Sequence, residues 1–301
     1  MPSPRGTFVI PLPGGRALEL GCRTLVMGIV NITPDSFAGS VRDADHAVEV
    51  ALQMEADGAD LIDIGGESTR PGATAVSETE ELARVIPVIE RLSERLTVPL
   101  SVDTYKAGVA VAAIEAGACI VNDVSGLGYD PQLGPVVART CAGLVLMHTR
   151  GRSRDMYREA RYGDVAGEVA SELGAALERA VAAGVDRART ILDPGFGFAK
   201  RAEHSWALLA ALPRIAALGR PLLVGVSRKS FLSEAVGTVP PEERDWGTAA
   251  AVTYAVLQGA HIVRVHAVKA MVHAARVADT ARRYAAEASS RGGLSGDDDC
   301  R

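Results

Sequence analysis

The feature that most constrains the fold is a regular alternation, from residue 25 onward, of short apolar runs with longer amphipathic segments. The runs are apolar throughout rather than alternating with polar residues, which predicts strands buried on both faces. The segments between them carry apolar residues at helical spacing, as in Leu82, Val85 and Ile89. The predicted strands are 25–30, 60–64, 100–103, 120–123, 143–147, 190–193, 221–226 and 262–265.

Glycines mark the ends of several predicted helices. A helix C-terminal cap often takes the left-handed conformation that glycine adopts without strain, and a new strand follows each of these glycines within a few residues. Eight β-then-α units in one chain predict an α/β fold, a (β/α)8 TIM barrel with a parallel sheet. The alternative is a doubly wound Rossmann sheet, but no G-x-G-x-x-G follows the first strand. The glycines are Gly58, Gly117, Gly184 and Gly259.

The two ends of the chain differ from the repeating region. Runs at 7–10 and 17–20 flank Pro-Gly-Gly and predict a short N-terminal β-hairpin ahead of the first barrel strand. Residues 289–301 are rich in Ser, Gly and Asp, and we expect a disordered tail there. We therefore expect a single domain over 1–288, with the hairpin spanning 7–20.

Charge and cysteine content exclude several classes of protein. The 301 residues include 32 basic and 37 acidic side chains without a Lys/Arg-rich run, so nucleic acid is not an expected partner. The N-terminal stretch lacks a secretion signal and no apolar run is long enough to cross a bilayer, so we expect no membrane partner. The scattered cysteines fit neither a disulfide framework nor a zinc site, and we expect a cytoplasmic protein. They are Cys22, Cys119, Cys141 and Cys300.

Polar residues follow nearly every predicted strand. In a TIM barrel the C-terminal ends of the strands form the active-site face. Each polar residue taken singly fits a helix cap or an Asx turn. Because the strand ends all face one mouth, the set predicts a ligand site. Its members are Asn31, 65–70, Asp103, Asn122, Asp123, His148, Asp193, 227–230 and His266.

Acidic and amide groups make up one half of this predicted site. Asp103, Asn122 and Asp193 offer acceptors for a flat heterocycle rich in N–H groups, because a carboxylate accepts two parallel hydrogen bonds from such an edge. This half of the site predicts a nitrogen heterocycle as ligand.

Cations make up the other half. Arg70 and Lys229 belong to it, and backbone N–H groups at 227–230 suit phosphate or carboxylate. Arg264 and His266 are two apart on a strand and share a face, where an inward arginine needs an anion that we expect a ligand to supply. We expect Arg228 to be a surface cation.

Two Gly/Pro/Ser-rich loops border the mouth and are of the kind that closes over a site: "NITPDSF" at 31–37 and "GGESTRPGA" at 65–73. Asn31 either binds a hard cation through its side-chain oxygen or shapes a turn.

Eight stretches together resemble the dihydropteroate synthase family. The family implies condensation of 7,8-dihydropterin-6-ylmethyl diphosphate with 4-aminobenzoate, giving 7,8-dihydropteroate and diphosphate in folate biosynthesis. It also implies a Mg²⁺-dependent transferase, a sulfonamide target and a homodimer formed through the late helices. The stretches are "MGIVNITPDSF" (27–37), "DIGGESTRPGA" (63–73), "SVDTYK" (101–106), "NDVSG" (122–126), "LMH" (146–148), "LDPGFGFAK" (192–200), "LLVGVSRKSF" (222–231) and "GAHIVRVH" (259–266).

The resemblance implies roles for individual residues and a dissociative substitution in which the diphosphate leaves early. The catalytic set would be Asp103, Lys229, Arg264 and His266. The pterin would contact Asp103, Asn122, Met147, Asp193, Phe198 and Lys229. The diphosphate would contact Asn31, Thr69, Arg70, Arg264 and His266, with Asn31 as the metal ligand. The aminobenzoate would lie near Thr69, Arg70, Pro71, Phe198, Lys229 and Ser230.

The chain departs from the family pattern at two places. The acidic residue that usually follows Phe37 is displaced to Asp43, within the altered stretch 38–43. Ala267 stands where the family has an aspartate, so we expect His266 to lose an orienting partner.

Two alternatives remain open. A related methyltransferase that takes methyltetrahydrofolate and serves a corrinoid would share the pterin-holding groups without a diphosphate to bind. A catalytically silent homologue would bind pterin or a partner protein. Lys229, Arg264 and His266, together with "STRPG", favour the synthase.

Overall fold

The computed structural model of the chain describes residues 5–32, 41–68, 72–152, 154, 156–158 and 160–292, with backbone alone at 41–43 and 289–292. The chain opens with the predicted hairpin. Strands β1 (Phe8–Pro11) and β2 (Ala17–Leu20) pair antiparallel through a short 3-10 turn at Pro13–Gly15. Their inward side chains Ile10 and Leu18 pack on the first residues of the barrel strands, so the hairpin closes the N-terminal end of the barrel.

Eight parallel strands form one sheet within the described residues, which confirms the predicted barrel. Strand order runs β8-β7-β6-β5-β4-β3-β10-β9, as sequential β-α units require. The strands are β3 (Leu25–Asn31), β4 (Leu61–Gly65), β5 (Leu100–Asp103), β6 (Ile120–Asp123), β7 (Gly143–Met147), β8 (Thr190–Asp193), β9 (Leu223–Val224) and β10 (Ile262–Val265).

The barrel closes between β8 and the segment that leads into β9. An isolated bridge joins Leu192 to Leu222, and the Leu192 amide donates to the Pro221 carbonyl at 2.9 Å. The prediction of a strand over 221–226 was too long: β9 pairs with β10 at Leu223 and Val224. Pro221 has no N–H to donate to a ladder, and the chain turns again at Val226, whose carbonyl accepts from the Lys229 amide.

Helices follow each barrel strand and cover its outer face. Their apolar stripes and the outward strand residues form one continuous core, with Val85, Ile89 and Leu173 fully buried. The helices are α1 (Val41–Ala56), α2 (Glu78–Ser93), α3 (Ala107–Glu115), α4 (Leu133–Thr140), α5 (Val165–Ala182), α6 (Ala202–Ala210), α7 (Leu212–Ala216), α8 (Ser233–Val236), α9 (Asp245–Leu257) and α10 (Val268–Gly292).

Local sequence signals account for several helix boundaries. Ser77 and Asp164 cap α2 and α5 by accepting the backbone N–H groups of Glu80 and Gly167. The four predicted cap glycines all take positive φ, from +93° at Gly184 to +118° at Gly117. Helix α10 continues past Ser289 to Gly292, and the predicted tail beyond it, 293–301, lies outside the described residues. None of the helices described here is both long enough and apolar enough to traverse a bilayer.

Candidate active site

A cavity of about 690 Å³ lies at the C-terminal ends of the barrel strands. Ten of the twelve predicted site residues line it, whereas Thr69 and Arg70, with neighbouring Pro71, lie outside the described residues. The topology thus brings together side chains that are up to 235 positions apart in sequence, because parallel strands end on one face of the barrel. The lining residues are Asn31, Asp103, Asn122, Met147, Asp193, Phe198, Lys229, Ser230, Arg264 and His266.

Arg264 joins two carboxylates at the floor of this cavity. Its Nε donates to Asp63 Oδ2 at 2.6 Å, and its Nη2 donates to Asp103 Oδ2 at 2.7 Å. The expectation that a ligand must supply the anion for Arg264 is therefore corrected. Two buried protein carboxylates balance its charge, and the guanidinium fork suits such paired contacts.

Asp63 is a site residue that the sequence reasoning missed. It lies in the middle of β4, is fully buried, and also accepts from Asn122 Nδ2 at 2.9 Å. A carboxylate inside the apolar run "LIDIG" is costly unless it is paired, and that was the available signal. Asp63 orients two lining side chains, Asn122 and Arg264, from beneath.

Burial sets the protonation of the acidic half of the site. It raises the pKa of Asp103 to about 7 against the opposing charge of Arg264, and it also raises the pKa of Asp193. Asp103 Oδ1 is buried and has no hydrogen-bond partner among the described residues. An N–H group of a ligand in the cavity would satisfy this acceptor and favour the ionised form.

Asp193 and Phe198 are placed by the loop after β8. Asp193 Oδ1 accepts the Gly195 amide at 2.8 Å. Gly195 has φ +69°, and a Cβ there would lie 2.0 Å from the His148 carbonyl oxygen, so only glycine fits this turn. The half-buried Phe198 ring lies under Lys229, whose Nζ is 4.1 Å from the ring centroid. Phe196 is a buried core residue stacked on Phe231 that also borders the cavity.

Arg228 is held by contacts with α9 at the edge of the cavity and is not the surface cation that the sequence predicted. It forms two hydrogen bonds with Asp245, both 2.8 Å long, and its amide donates to Thr248 Oγ1. This contact fixes the turn that carries Lys229. Ser230 begins a three-residue 3-10 turn, Ser230–Leu232, which is followed by the short helix α8.

His266 has an orienting partner, contrary to the expectation drawn from Ala267. Ser227 Oγ lies 2.9 Å from His266 Nδ1 and also accepts the His266 amide at 3.2 Å. The partner comes from the segment after β9 instead of from the residue that follows His266. The sequence showed both residues but not that adjacent strand ends place them together.

Glu67 anchors the loop that follows β4, and this contact was also missed. It accepts from Tyr105 OH at 3.0 Å and from Lys106 Nζ at 2.6 Å, while Lys106 also pairs with the buried Glu81. The backbone of Val76 donates to the same carboxylate. The residues on either side of 69–71 are thus held by an ionic cluster beside the cavity.

Comparison with known proteins identifies the family. Residues 27–266 match the model of the family described as "Pterin binding enzyme". The chain is 47% identical over 275 residues to a dihydropteroate synthase of Synechocystis sp., with 90% of this chain and 95% of the relative covered.

Solved structures agree. A Xanthomonas albilineans dihydropteroate synthase with 4-aminobenzoic acid superposes with a TM-score of 0.84 at 46% identity, covering 91% of this chain and 98% of that one. The enzyme of the same organism in complex with 7,8-dihydropteroate gives 0.81 at 42% identity and the same coverage. The chain therefore belongs to the pterin-binding enzyme family and, within it, to the dihydropteroate synthases.

Proposed function

We propose that the chain condenses 7,8-dihydropterin-6-ylmethyl diphosphate with 4-aminobenzoate to give 7,8-dihydropteroate and diphosphate. The observation that carries this proposal is the buried acceptor Asp103 Oδ1, which lacks a partner among the described residues at the floor of the cavity. A flat heterocycle with adjacent N–H groups would satisfy it. Relatives of this chain bind the second substrate and the product, as described above.

The pterin ring would lie on the acidic side of the cavity. Asp103 and Asp193 accept from its N–H edges, and Asn122, held by Asp63, can both donate and accept. Met147 and Phe198 are among the apolar residues that line the cavity. Because Asp103 and Asp193 are buried, each hydrogen bond from the ring replaces water that the carboxylate lost on folding.

The diphosphate would lie toward the cationic side. Lys229 and His266 line the cavity there, and Arg264 supplies a charge shared with Asp63 and Asp103. Thr69 and Arg70 would complete this side. Positive charge placed where the leaving diphosphate gains negative charge lowers the barrier to its departure.

Magnesium fits the donor set only as an ion held largely by substrate. Among the residues that the structure describes, no group of three or more His, Cys, Asp or Glu is arranged to hold a metal. Mg²⁺ often uses one or two protein oxygens together with water and phosphate oxygens. Asn31 offers such an oxygen at the end of β3, where the absence of a side chain at Gly65 leaves room beside it. Bound there, the ion would neutralise charge on the diphosphate.

The chemistry we propose is a dissociative substitution. Asp103 and Asp193 stabilise positive charge that spreads from the pterin methylene into the ring as the diphosphate leaves. The aminobenzoate nitrogen, a weak nucleophile, then attacks the methylene carbon and loses a proton. Lys229 and Ser230 lie at the cavity edge, where a carboxylate would be bound.

The experiment is a direct assay. The purified chain is incubated with both substrates and Mg²⁺, and pteroate formation and diphosphate release are followed. Asp103→Asn and Asp193→Asn should each lower kcat/KM about 100-fold or more, by loss of a charged hydrogen bond worth roughly 1.5–3 kcal/mol together with lost charge stabilisation. Asp186→Asn, at an exposed position outside the cavity, should leave it unchanged. A wild-type chain that forms no pteroate at micromolar enzyme would exclude the proposal.

We also propose a cytoplasmic homodimer formed through the late helices. Support comes from an apolar cavity of about 360 Å³ between α6, α8 and α9, and from Trp246 in α9, which is 87% exposed. Ala250→Glu places a charge at an exposed position in this cavity wall, and sedimentation should show it to be a monomer. Ala83→Glu, at an exposed position of the early helix α2, serves as the control.

A further inference from the structure

Lys200 is a buried cation that the proposed chemistry does not use. It is one of four lysines in the chain and is 2% exposed, in the loop between β8 and α6. It does not line the cavity. A lysine is rarely buried this completely unless its ammonium is bound, so its contacts indicate what it does.

Four acceptors surround the Lys200 nitrogen. Nζ lies 3.0 Å from the Gly195 carbonyl oxygen, 3.0 Å from that of Phe198, 2.8 Å from His148 Nδ1 and 3.4 Å from the His148 carbonyl oxygen. An ammonium has three N–H donors and a neutral amine has two, so this number of acceptors suits the charged form. The ammonium is thus surrounded by hydrogen-bond acceptors.

The loop that Lys200 holds is the one that shapes the pterin side of the cavity. Gly195, Gly197 and Ala199 all have positive φ, and for Ala199, at +48°, this conformation is strained. Lys200 binds the carbonyls of Gly195 and Phe198, which lie at the two ends of the turn. This turn donates the Gly195 amide to Asp193 and carries the Phe198 ring. The Gly195 carbonyl also accepts the Phe198 amide at 3.2 Å, and the contacts of the ammonium with the two carbonyls offset the strain.

His148 and Glu172 hold the ammonium from the other side. Burial lowers the pKa of His148 to about 4, so its ring is neutral and Nδ1 can accept from Lys200 while Nε2–H donates to Glu172 Oε2 at 3.0 Å. The hydrogen bond from His148 and the contacts with Arg150 lower the pKa of Glu172 to about 2. This series of contacts fixes the histidine tautomer that the ammonium needs.

We propose that Lys200 is a positioning residue for the pterin: its ammonium, held by His148, fixes the loop that presents Asp193 and Phe198, although it touches neither substrate. This inference rests on the proposed function. Burial lowers the pKa of Lys200 to about 7, while the Asp193 carboxylate acts in the opposite direction, so a substantial fraction of Lys200 is an ammonium at neutral pH. Glu172 also favours the cation, whereas Arg150 and Lys229 disfavour it.

The test is Lys200→Met, which keeps an unbranched side chain of nearly the same length and removes the charge and all three donors. Binding of the dihydropterin diphosphate, without aminobenzoate, is measured by calorimetry well below the unfolding temperature. We expect the Kd to rise at least tenfold and the KM for this substrate to rise with it, with a smaller change in kcat. Val109→Ala, a buried truncation in α3, is the control for lowered stability and should keep the wild-type Kd.

A second variant tests the positioning role if Lys200→Met does not fold. Glu172 is 41% exposed, so Glu172→Ala should fold, and it removes the group that fixes the His148 tautomer. We expect its Kd for the dihydropterin diphosphate to rise about threefold or more. The exposed Glu178, on the same helix, gives the matched control Glu178→Ala with an unchanged Kd.

The outcomes separate this inference from the proposed function. The positioning role is overturned if the wild type binds the dihydropterin diphosphate and Lys200→Met binds it with the same Kd. If Lys200→Met does not fold, an unchanged Kd in Glu172→Ala has the same meaning. Either result leaves the synthase proposal standing. A wild-type chain that does not bind the dihydropterin diphosphate overturns both. A selective loss of pterin affinity, relative to Val109→Ala and Glu178→Ala, supports the role.

Discussion

Ser227 Oγ accepts the backbone N–H of His266 at 3.2 Å and lies 2.9 Å from Nδ1 of the same residue. Since the oxygen already accepts one proton, its own O–H is available to donate to Nδ1. A neutral His266 would then carry its ring proton on Nε2. Two adjacent strand ends thus set the tautomer of a residue that lines the cavity.

Ser227→Ala should lower kcat about tenfold. The variant loses both contacts of Ser227 Oγ with His266. The one that orients the ring is worth about 1–1.5 kcal/mol, and each 1.36 kcal/mol in the barrier is tenfold in rate. Steady-state kinetics check this, with Ser205→Ala as control, because Ser205 Oγ is buried in α6 without a partner in the described part of the chain. Identical kcat values for Ser227→Ala and the wild type would show that the ring needs no such partner.

Asp63→Asn should destabilise the barrel by about 3 kcal/mol, because removing one charge of a buried network leaves Arg264 under-compensated. The same variant should lose pterin affinity, since Asn122 and Arg264 both depend on Asp63. Urea unfolding and calorimetry measure the two effects. Asp57→Asn, which alters an exposed contact with Gln53, should change the free energy of unfolding by less than about 0.5 kcal/mol. Equal effects of the two variants would contradict this account.

The free energy of unfolding should fall as the pH drops from 6.5 to 4, in part through His261. Burial lowers the pKa of His261 to about 4. In the folded protein its Nδ1 accepts from the Leu222 amide, and its Nε2 lies 3.0 Å from the Gly6 carbonyl oxygen. The unfolded state takes up the proton first, so stability is complete above pH 6.5, falls down to about pH 4 and is constant below it. A shift from 6.5 to about 4 corresponds to about 3 kcal/mol.

His261→Gln should remove this contribution and flatten the pH dependence of the unfolding free energy, while exposed His273→Gln should not. His148, with the same direction of shift, accounts for part of the slope that remains. Denaturant unfolding at several pH values makes the comparison. Parallel curves for wild type and His261→Gln would contradict the prediction.

Gly195→Ala should be far more damaging than Gly219→Ala. Both glycines have φ near +70°, so each substitution costs about 1 kcal/mol for the backbone conformation. A Cβ at Gly219 meets nothing within 4 Å, whereas one at Gly195 would lie 2.0 Å from the His148 carbonyl oxygen. Thermal unfolding should place Gly219→Ala within a few degrees of wild type, and Gly195→Ala should also lose pterin binding. Similar midpoints would show that the loop can relax.

The barrel could be predicted from the sequence because its signals are local. Apolar runs, helical spacing and cap glycines each act over a few residues, and the strands at 100–103, 120–123, 143–147 and 190–193 match β5 to β8. The short β9 could not be predicted from such signals. Its length depends on pairing with β10 and on Pro221, which belongs to a strand-like apolar run but cannot donate a hydrogen bond.

The cavity residues were predictable from their positions after strands, but their partners were not. The partners of Arg264 depend on the register of the strands across the barrel. Asp63 and Asp103, on two other strands, form hydrogen bonds with its guanidinium. Sequence reasoning assigned that role to a ligand because it considered strand ends and passed over Asp63 in mid-strand. For the same reason it did not connect Ser227 with His266, or Lys200 with the carbonyls of its own loop.

If the proposed function holds, substrate would bridge the junction at Leu192 and Leu222, where the barrel closes. Asp193 ends the strand on one side of this junction, and Lys229 follows the strand on the other. A pterin bound by both residues would link β8 to the segment around β9, which a single backbone bridge joins, and would stabilise that junction. Loading the cavity should therefore slow hydrogen exchange of the Leu192 amide more than that of Val145, in the continuous part of the sheet.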